Sequence, residues 1–247
     1  MERTALVTGA SGGIGRAAAL ALAEDGFAVA LAGRRREQLE ATATLAGSAT
    51  TLVIPTDVAD PASVAALFET IGRTWGRLDV LFNNAGGNVP STNFGDLTDE
   101  QWDHVVAVNL SGAFRVARGA FRMMRDQTPQ GGRIINNGSL SAHVPRPGSA
   151  PYTATKHGVS GLTKTISLDG RAFGIACGQV DVGNAGTDLT ARMAGGVPQA
   201  NGTMQPEPVM HVQNVARSVA FMASLPVDAN VLTLTVMATQ MPFVGRG

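Results

Sequence analysis

Short apolar runs alternate with longer amphipathic or alanine-rich stretches along most of this 247-residue chain. Apolar runs without polar alternation are typical of strands that are buried on both faces, as in a parallel sheet. About seven such strands are predicted, at residues 4–8, 27–33, 50–58, 78–86, 131–139, 174–182 and 231–238. The stretches between them predict helices at about 16–26, 36–47, 61–76, 112–125, 151–170 and 212–226. This alternation predicts an α/β fold: a single doubly wound domain over residues 1–247, with parallel strands and helices on both faces.

The composition argues against several classes of protein, although it does not indicate a particular function. The charged side chains balance at a formal net charge of zero, which argues against nucleic acid or an anionic membrane as a partner. The single cysteine, Cys177, excludes an internal disulfide and a thiolate metal cluster. The four histidines show no metal-ligand spacing, so no metal site is predicted. The N-terminus lacks an apolar signal region and no stretch of about 18 apolar residues follows, which predicts a soluble cytoplasmic protein.

A glycine-rich turn follows the first predicted strand and precedes a helix. Glycines at this point let the backbone turn sharply and approach a diphosphate, which would rest on the N–H groups at the helix N-terminus. The order strand, glycine turn, helix therefore predicts a nucleotide site. The residues assigned to it are Gly9, Ser11, Gly13, Ile14 and Gly15.

The end of the second strand bears on the choice of cofactor. A chain that prefers NAD usually carries an acidic residue here to hold the ribose hydroxyls. This chain has Gly33 followed by Arg34, Arg35 and Arg36. Without a carboxylate to repel it, a 2′-phosphate could be held by Arg34 with help from the Ser11 hydroxyl, whereas Arg35 and Arg36 are expected to open a solvated helix. NADP(H) is therefore predicted, with NAD(H) as the weaker alternative.

Two further strand ends are assigned to the same cofactor site. Asp57 could accept a hydrogen bond from an adenine amino group, could cap the helix that begins near Pro61, or could do both. Small residues after the fourth strand keep the carboxyl edge of the sheet open, where such sheets bind ligands. The residues assigned here are Asp57, Val58, Asn84, Ala85 and Gly86.

The candidate chemistry lies in residues 139–156. Tyr152 and Lys156 are four residues apart in a predicted helix, which places them on one face. An adjacent ammonium favours the phenolate, so this tyrosine could pass a proton to or from an alcohol oxygen. Tyr152 is the only tyrosine in the chain, which favours this role over that of an ordinary surface residue. Ser139, thirteen residues before Tyr152, could add a hydroxyl to the same region.

Taken together, these motifs resemble those of the short-chain dehydrogenase/reductase family. The matching stretches are TGASGGIG at 8–15, NNAG at 83–86, VNLSG at 108–112, Ser139, and YTATK at 152–156. The resemblance runs from about residue 4 to the last strand and implies a Rossmann-type domain that transfers hydride between NADP(H) and a carbonyl or secondary alcohol. It further implies that Ser139 polarises the carbonyl, that Tyr152 moves the proton and that Lys156 also holds the ribose. By the same resemblance Asn109 is the fourth catalytic residue and holds a water that links Lys156 to solvent.

The chain departs from the family pattern at three places. Residues 136–139, which end at Ser139, read NNGS where many relatives have two adjacent serines. After the sixth strand it has Val182-Gly183 instead of Pro-Gly, which leaves a looser turn before Thr187, the expected nicotinamide contact. The resemblance implies a homotetramer. Because the C-terminal tail lacks the usual Asp-Gly-Gly ending, a dimer is the alternative if the tail blocks one interface.

The insertion at 188–210 is the predicted substrate region. In relatives this insertion closes over the substrate, and its methionines favour an apolar or bulky substrate, although a loop without substrate contact is the alternative.

Two other functions are possible for a chain with these motifs. A 3-oxoacyl-thioester reductase acting on acyl carrier protein is less favoured because no basic docking patch is evident. A non-catalytic NADP(H)-sensing regulator would not need all four catalytic residue types. The substrate, the reaction direction and the stereochemistry stay open at this stage.

Overall fold

A computed structural model describes residues 2–187 and 195–244 of the chain. Its strands are β1 (Arg3–Thr8), β2 (Phe27–Gly33), β3 (Thr51–Pro55), β4 (Val80–Asn83), β5 (Gly132–Asn137), β6 (Ile175–Val182), β7 (Val197–Pro198), β8 (Met204–Gln205) and β9 (Thr233–Val236). Seven of them form one parallel sheet in the order β3-β2-β1-β4-β5-β6-β9, while β7 and β8 pair as a small antiparallel hairpin. The predicted parallel sheet is therefore confirmed.

Helices cover both faces of this sheet. They are α1 (Gly13–Glu24), α2 (Arg36–Leu45), α3 (Pro61–Trp75), α4 (Asp99–Val106), α5 (Ala113–Asp126), α6 (Ala150–Asp169) and α7 (Gln213–Ser224). α1, α2 and α7 pack on one face, and α3 and α5 pack on the other, with α6 beside them. The doubly wound fold class is confirmed. In the parts of the chain that the structure describes, no helix is both long enough and apolar enough to cross a membrane.

The central strands are buried on both faces, as their unbroken apolar sequences predicted. Leu6 of β1 and Phe82 of β4 have no exposed surface. Burying one such side chain contributes about 1.5–3 kcal/mol to folding. The central sheet is therefore a rigid support for the loops that leave its carboxyl ends.

One helical region was missed by the sequence-based prediction. α4 precedes a π-helical turn, Ala107–Gly112, which continues directly into α5. Thr98 caps α4 by accepting a hydrogen bond from the Gln101 N–H at 3.2 Å, while the Gln101 side chain accepts from the Thr98 N–H at 3.1 Å. This reciprocal capping box, Thr-x-x-Gln, is a local signal from which α4 could have been predicted.

The order of the strands determines where a ligand can bind. The connections that follow β1 and β4, which are neighbours in the sheet, pass to opposite faces. A crevice opens at such a switch point, beyond the carboxyl ends of the strands. In this protein a cleft of about 1480 Å³ lies there.

Candidate active site

The cleft collects nearly all of the residues that the sequence assigned to the site. Its lining includes Ser139, Tyr152 and Lys156 together with every predicted cofactor residue. Asn109 is the exception, because it is buried behind Gly87, which does line the cleft. The cofactor residues found in the lining are Gly9, Ser11, Gly13, Ile14, Gly15, Arg34, Asp57, Val58, Asn84, Ala85, Gly86 and Thr187.

The glycine turn requires glycine at several positions. Gly9 and Gly13 have φ angles of +70° and +51°, in the left-handed region that other residues rarely adopt. A Cβ atom on Gly15 would collide with the Gly9 carbonyl oxygen. α1 begins at Gly13, and its N-cap residue Gly12 has no side chain with which to cap the first N–H groups. The turn therefore fits a diphosphate, which those N–H groups could bind.

Arg35 lies closer to the glycine turn than the sequence suggested. Its Nη2 donates a hydrogen bond to the Ser11 hydroxyl at 3.1 Å, and both Arg34 and Arg35 line the cleft. Arg35 is the exposed N-cap residue of α2, as expected, and its contact with Ser11 also links it to the glycine turn. Arg36 is exposed, with a nitrogen 3.6 Å from a Glu40 oxygen one turn along α2. Two guanidinium groups and one hydroxyl thus border the part of the cleft next to β2, a donor set that suits a phosphate.

Asp57 does not cap the helix that follows it. Its Oδ1 accepts a hydrogen bond from the Ala59 N–H at 2.9 Å. The cap of α3 is Asp60, whose carboxylate accepts from the N–H groups of Ala62 and Ser63 at 3.0 and 3.2 Å. The alternative in which Asp57 caps α3 is therefore wrong. Asp57 is held by a local turn at the cleft wall, and its proposed contact with adenine stays a prediction.

A series of hydrogen bonds connects the glycine turn to α6, the helix that carries Tyr152 and Lys156. Asn84 donates from Nδ2 to the Thr8 carbonyl oxygen at 2.8 Å, and its Oδ1 accepts from Asn137 Nδ2 at 2.9 Å. The Asn137 carbonyl oxygen in turn accepts from Lys156 Nζ at 2.7 Å. The sequence analysis assigned Asn84 but missed Asn137. An amide at the end of a buried strand was the available signal, because a buried polar side chain needs a partner.

Tyr152 and Lys156 lie one turn apart in α6, as their spacing predicted. The Lys156 Nζ is 5.5 Å from the centroid of the Tyr152 ring. Lys156 is only 6% exposed, whereas Tyr152 is partly exposed at the cleft. A buried ammonium is costly unless it is hydrogen-bonded, and the Asn137 carbonyl supplies one acceptor. The arrangement holds a positive charge beside the phenol.

Ser139 presents its hydroxyl from a short 3₁₀ turn, Leu140–Ala142, that follows β5. Its Oγ accepts a hydrogen bond from the Ser141 N–H at 3.1 Å. A hydroxyl has one donor and two acceptor lone pairs, so the O–H remains able to donate to a carbonyl oxygen in the cleft. Ser139 can therefore donate a hydrogen bond to a substrate carbonyl, which is its predicted role.

Asn109 lies in the π-helical turn that the sequence analysis did not foresee. Its Nδ2 donates to the Gly87 carbonyl oxygen at 2.8 Å, and its Oδ1 accepts from the Gly87 N–H at 2.9 Å. The side chain thus clamps the backbone directly after NNAG. π-helical turns occur frequently at functional sites. The predicted role of Asn109 as a water ligand stays a prediction.

Thr187 lines the cleft beside the glycine turn, and much of the described part of the insertion, within residues 196–208, also lines the cleft. A Cβ atom on Gly13 would be 3.2 Å from Thr187 Cγ2, so Thr187 approaches the turn although the usual proline is missing. Residues 188–194, including Met193, lie outside the described residues. Met204, in β8, is exposed and lines the cleft, whereas Met210 packs against the cluster formed by Leu140, Ala238 and Met241. The predicted adaptable apolar surface is therefore present in part.

An ion pair that the sequence analysis missed joins this insertion to the loop before α6. The Arg146 guanidinium contacts the Glu207 carboxylate and donates to Asn184 Oδ1 at 2.9 Å. Glu207 is buried and also accepts from Asn184 Nδ2 at 2.7 Å and from Gln199 Nε2 at 3.0 Å. All four residues line the cleft. These contacts join the insertion, the loop before α6 and the loop after β6 at the wall of the cleft.

Comparisons with known proteins agree with this geometry. The family model described as short chain dehydrogenase matches residues 3–196. The chain belongs to the short-chain dehydrogenase/reductase family, whose members are oxidoreductases that act on CH–OH groups with nicotinamide cofactors.

Individual relatives span different substrates. The chain is 37% identical over 193 residues to a 3beta-hydroxysteroid dehydrogenase of Mediterraneibacter gnavus, covering 77% of this chain and 69% of that one. It is 36% identical over 196 residues to a D-beta-hydroxybutyrate dehydrogenase of Rhizobium meliloti, covering 78% and 75%. A solved 3-ketoacyl-(acyl-carrier-protein) reductase of Brucella melitensis, complexed with NADH, has a TM-score of 0.84 at 27% identity, covering 95% and 96%.

Proposed function

We propose that this protein transfers hydride between NADP(H) and a carbonyl or secondary alcohol, with Ser139, Tyr152, Lys156 and Asn109 as its catalytic residues. One observation carries the proposal. The Tyr152–Lys156 pair and the glycine turn line one cleft, and the hydrogen bonds through Asn84 and Asn137 connect them. A nucleotide bound at the turn would thereby be held in the same cleft as the proton-transfer group.

The chemistry of carbonyl reduction can be assigned to particular side chains. The glycine turn and Lys156 would hold the nicotinamide cofactor, which would supply the hydride for the carbonyl carbon. Ser139 donates its O–H to the carbonyl oxygen as negative charge develops there, and Tyr152 gives that oxygen its proton. Lys156 stabilises the phenolate that remains and holds the cofactor ribose. Asn109, which is hydrogen-bonded to the Gly87 backbone, holds a water that links Lys156 to solvent, and the proton returns to Tyr152 by this path.

The preference for NADP(H) rests on the charges at the end of β2. Arg34 and Arg35 line the cleft there, and Arg35 is hydrogen-bonded to Ser11. The strand itself ends at Gly33, so no acidic side chain stands at the position that usually holds the ribose hydroxyls in NAD-dependent chains. A hydrogen bond to a charged group contributes about 1.5–3 kcal/mol, and a 2′-phosphate would accept more than one.

The test is a panel of ketones, quinones, sugars and acyl thioesters, followed by loss of NADPH absorbance and repeated with NADH. The expected result is turnover on at least one carbonyl that is faster with NADPH and about 10²–10⁴-fold slower in Tyr152→Phe. Turnover restricted to acyl thioesters would favour the acyl-carrier-protein reductase instead. NADPH binding without turnover on any compound would favour a sensing regulator and contradict the proposal.

We also infer that the protein assembles as a homotetramer or a dimer. Large apolar side chains remain exposed on the outer helices: Trp102 on α4, Phe114 on α5 and Leu168 on α6. Exposed apolar side chains grouped on neighbouring helices often mark an interface between copies. Light scattering at micromolar concentration should report a mass of two or four chains. A mass of only one chain, 25.4 kDa, would contradict the inference.

A further inference from the structure

A fully buried carboxylate lies directly behind the catalytic serine. Asp181, near the end of β6, has no exposed surface. Its Oδ1 accepts hydrogen bonds from the Ser139 N–H at 3.1 Å and from Gln179 Nε2 at 2.7 Å. Its Oδ2 lies 2.8 Å from Nε2 of His143. A buried charge is costly unless it is hydrogen-bonded, so these contacts offset the cost of burying the Asp181 carboxylate.

The space for this carboxylate exists because residue 138 is glycine. A Cβ atom on Gly138 would collide with Asp181 Oδ1 and would lie 3.0 Å from Gln179 Nε2. Position 138 is also where the chain reads NNGS, with glycine in place of the first of two adjacent serines. The carboxylate at 181 therefore occupies the volume that a side chain at 138 would need. Gly138 without the Asp181 side chain would leave a cavity, and Asp181 with a larger residue at position 138 would produce a collision.

The same carboxylate holds both ends of the turn that presents the Ser139 hydroxyl. One oxygen accepts from the Ser139 backbone, and the other pairs with the ring of His143, four residues later. Between these ends the turn is closed by hydrogen bonds from the Ala142 N–H to the Ser139 carbonyl and from the His143 N–H to the Leu140 carbonyl, each at 2.9 Å. Rotation of the turn would break contacts at both ends at once.

We propose that Asp181 and His143 are positioning residues that set the orientation of the Ser139 hydroxyl, and that Gly138 provides the room they need. This rests on the proposed function, in which Ser139 donates to the carbonyl oxygen. Asp181 is fully buried and cannot touch a substrate, so it acts through Ser139. Small errors in the placement of a catalytic group lower turnover strongly, so the expected effect falls on kcat more than on KM.

The decisive experiment compares Asp181→Ala in the wild-type and the Ser139→Ala backgrounds, with a carbonyl that the wild type reduces. In the wild-type background kcat should fall by about 10–100-fold, while the Kd for NADPH changes less than about twofold. In the Ser139→Ala background the same substitution should lower kcat by less than about threefold, because the hydroxyl is already gone. The melting temperature should fall in both backgrounds, since Ser139→Ala leaves the backbone N–H in place. Equal losses of kcat in the two backgrounds, or no loss in the wild type, would overturn the proposal.

Conservative variants keep the test decisive if Asp181→Ala does not fold. Asp181→Asn retains an oxygen for the Ser139 N–H and should keep most of the turnover. His143→Gln, which can still donate to Asp181, should be more active than His143→Phe, and this difference should vanish in the Ser139→Ala background. Identical activity of His143→Gln and His143→Phe would count against a role for the ring contact.

The glycine can be tested independently of turnover. Gly138→Ala should destabilise the wild type strongly, and the double variant Gly138→Ala/Asp181→Ala should be more stable than the sum of the single changes predicts. Failure of the wild type to reduce any carbonyl would remove the proposed function, yet serine-labelled NMR would still test the contact. The Ser139 amide proton should move upfield in Asp181→Ala, and an unchanged shift would refute the contact with Asp181.

Discussion

The ammonium nitrogen of Lys156 donates to the carbonyl oxygen of Asn137 at 2.7 Å. This contact ties α6, which carries Tyr152, to the end of β5, the strand that Ser139 follows. The amide of Asn137 continues the connection to Asn84 and so to the glycine turn. The position of Lys156 therefore depends on the cofactor side of the cleft as well as on its own helix.

The first prediction follows from this contact and concerns Tyr152 and Lys156. Tyr152→Phe keeps the ring but removes the hydroxyl, so turnover should fall by about 10²–10⁴-fold while the Kd for NADPH changes little. Lys156→Ala should lower both turnover and NADPH affinity, because this ammonium is proposed to serve the phenol and the ribose. Lys164→Ala, in which the other lysine of α6 is changed, is the matched control and should resemble the wild type. Near-normal turnover in Tyr152→Phe would end the case for this mechanism.

The second prediction concerns the two arginines beside β2. Arg34→Ala and Arg35→Ala should each weaken NADPH binding by about 1.5–3 kcal/mol, the usual contribution of a hydrogen bond to a charged group, and should affect NADH less. Arg36→Ala provides the control, since Arg36 is exposed and lies beside Glu40. Titration of both cofactors against all three variants measures the effect. A wild-type preference for NADH would contradict the prediction.

The third prediction concerns the ion pair between Arg146 and Glu207, which we propose holds the substrate side of the cleft. Arg146→Met removes the cation that compensates the buried Glu207 carboxylate, so the variant should melt at a lower temperature and show a raised KM for substrate. The Kd for NADPH should stay near the wild-type value, because Arg146 is not among the residues assigned to the cofactor. Arg146→Met/Glu207→Gln should recover part of the lost stability, since no unpaired buried charge remains. Melting curves and Michaelis constants for the wild type, both single variants and the double variant provide the measurement.

The fourth prediction concerns acid stability and uses Asp79, which follows α3 and precedes β4. Burial by itself would raise the pKa of Asp79, but hydrogen bonds from Arg77 and Thr4 and the charge of Arg77 lower that pKa overall. A lowered pKa in the folded state means that the carboxylate stabilises the fold above about pH 4 and that this contribution is lost as the pH falls further. Asp79→Asn should therefore lower the free energy of unfolding by about 1–3 kcal/mol at pH 7 and by progressively less below pH 4.

Urea unfolding between pH 7 and pH 3 measures this difference. Asp126→Asn is the control, because the pair that Asp126 forms with Arg125 is exposed to solvent and should change the stability little at either pH. A gap between wild type and Asp79→Asn that stayed constant down to pH 3 would show that Asp79 acts by packing and not by its charge.

Several parts of this protein were determined by the sequence alone. The parallel sheet followed from apolar runs without alternation, and the position of the glycine turn followed from the first of them. The neighbouring positions of Tyr152 and Lys156 followed from their spacing in a helix. These features share a physical reason: the geometry of one strand or one helix fixes how residues near in sequence are arranged.

Other parts were decided only by the tertiary structure. Arg35 reaches Ser11 from a different loop, Asn109 clamps Gly87 from a π-helical turn, and Asp181 meets Ser139 from the next strand of the sheet. No local period relates the members of these pairs, which are 24, 22 and 42 residues apart. Their contacts depend on the packing of separate elements and on the direction in which each side chain leaves its backbone, and these are set only when the sheet and its helices come together.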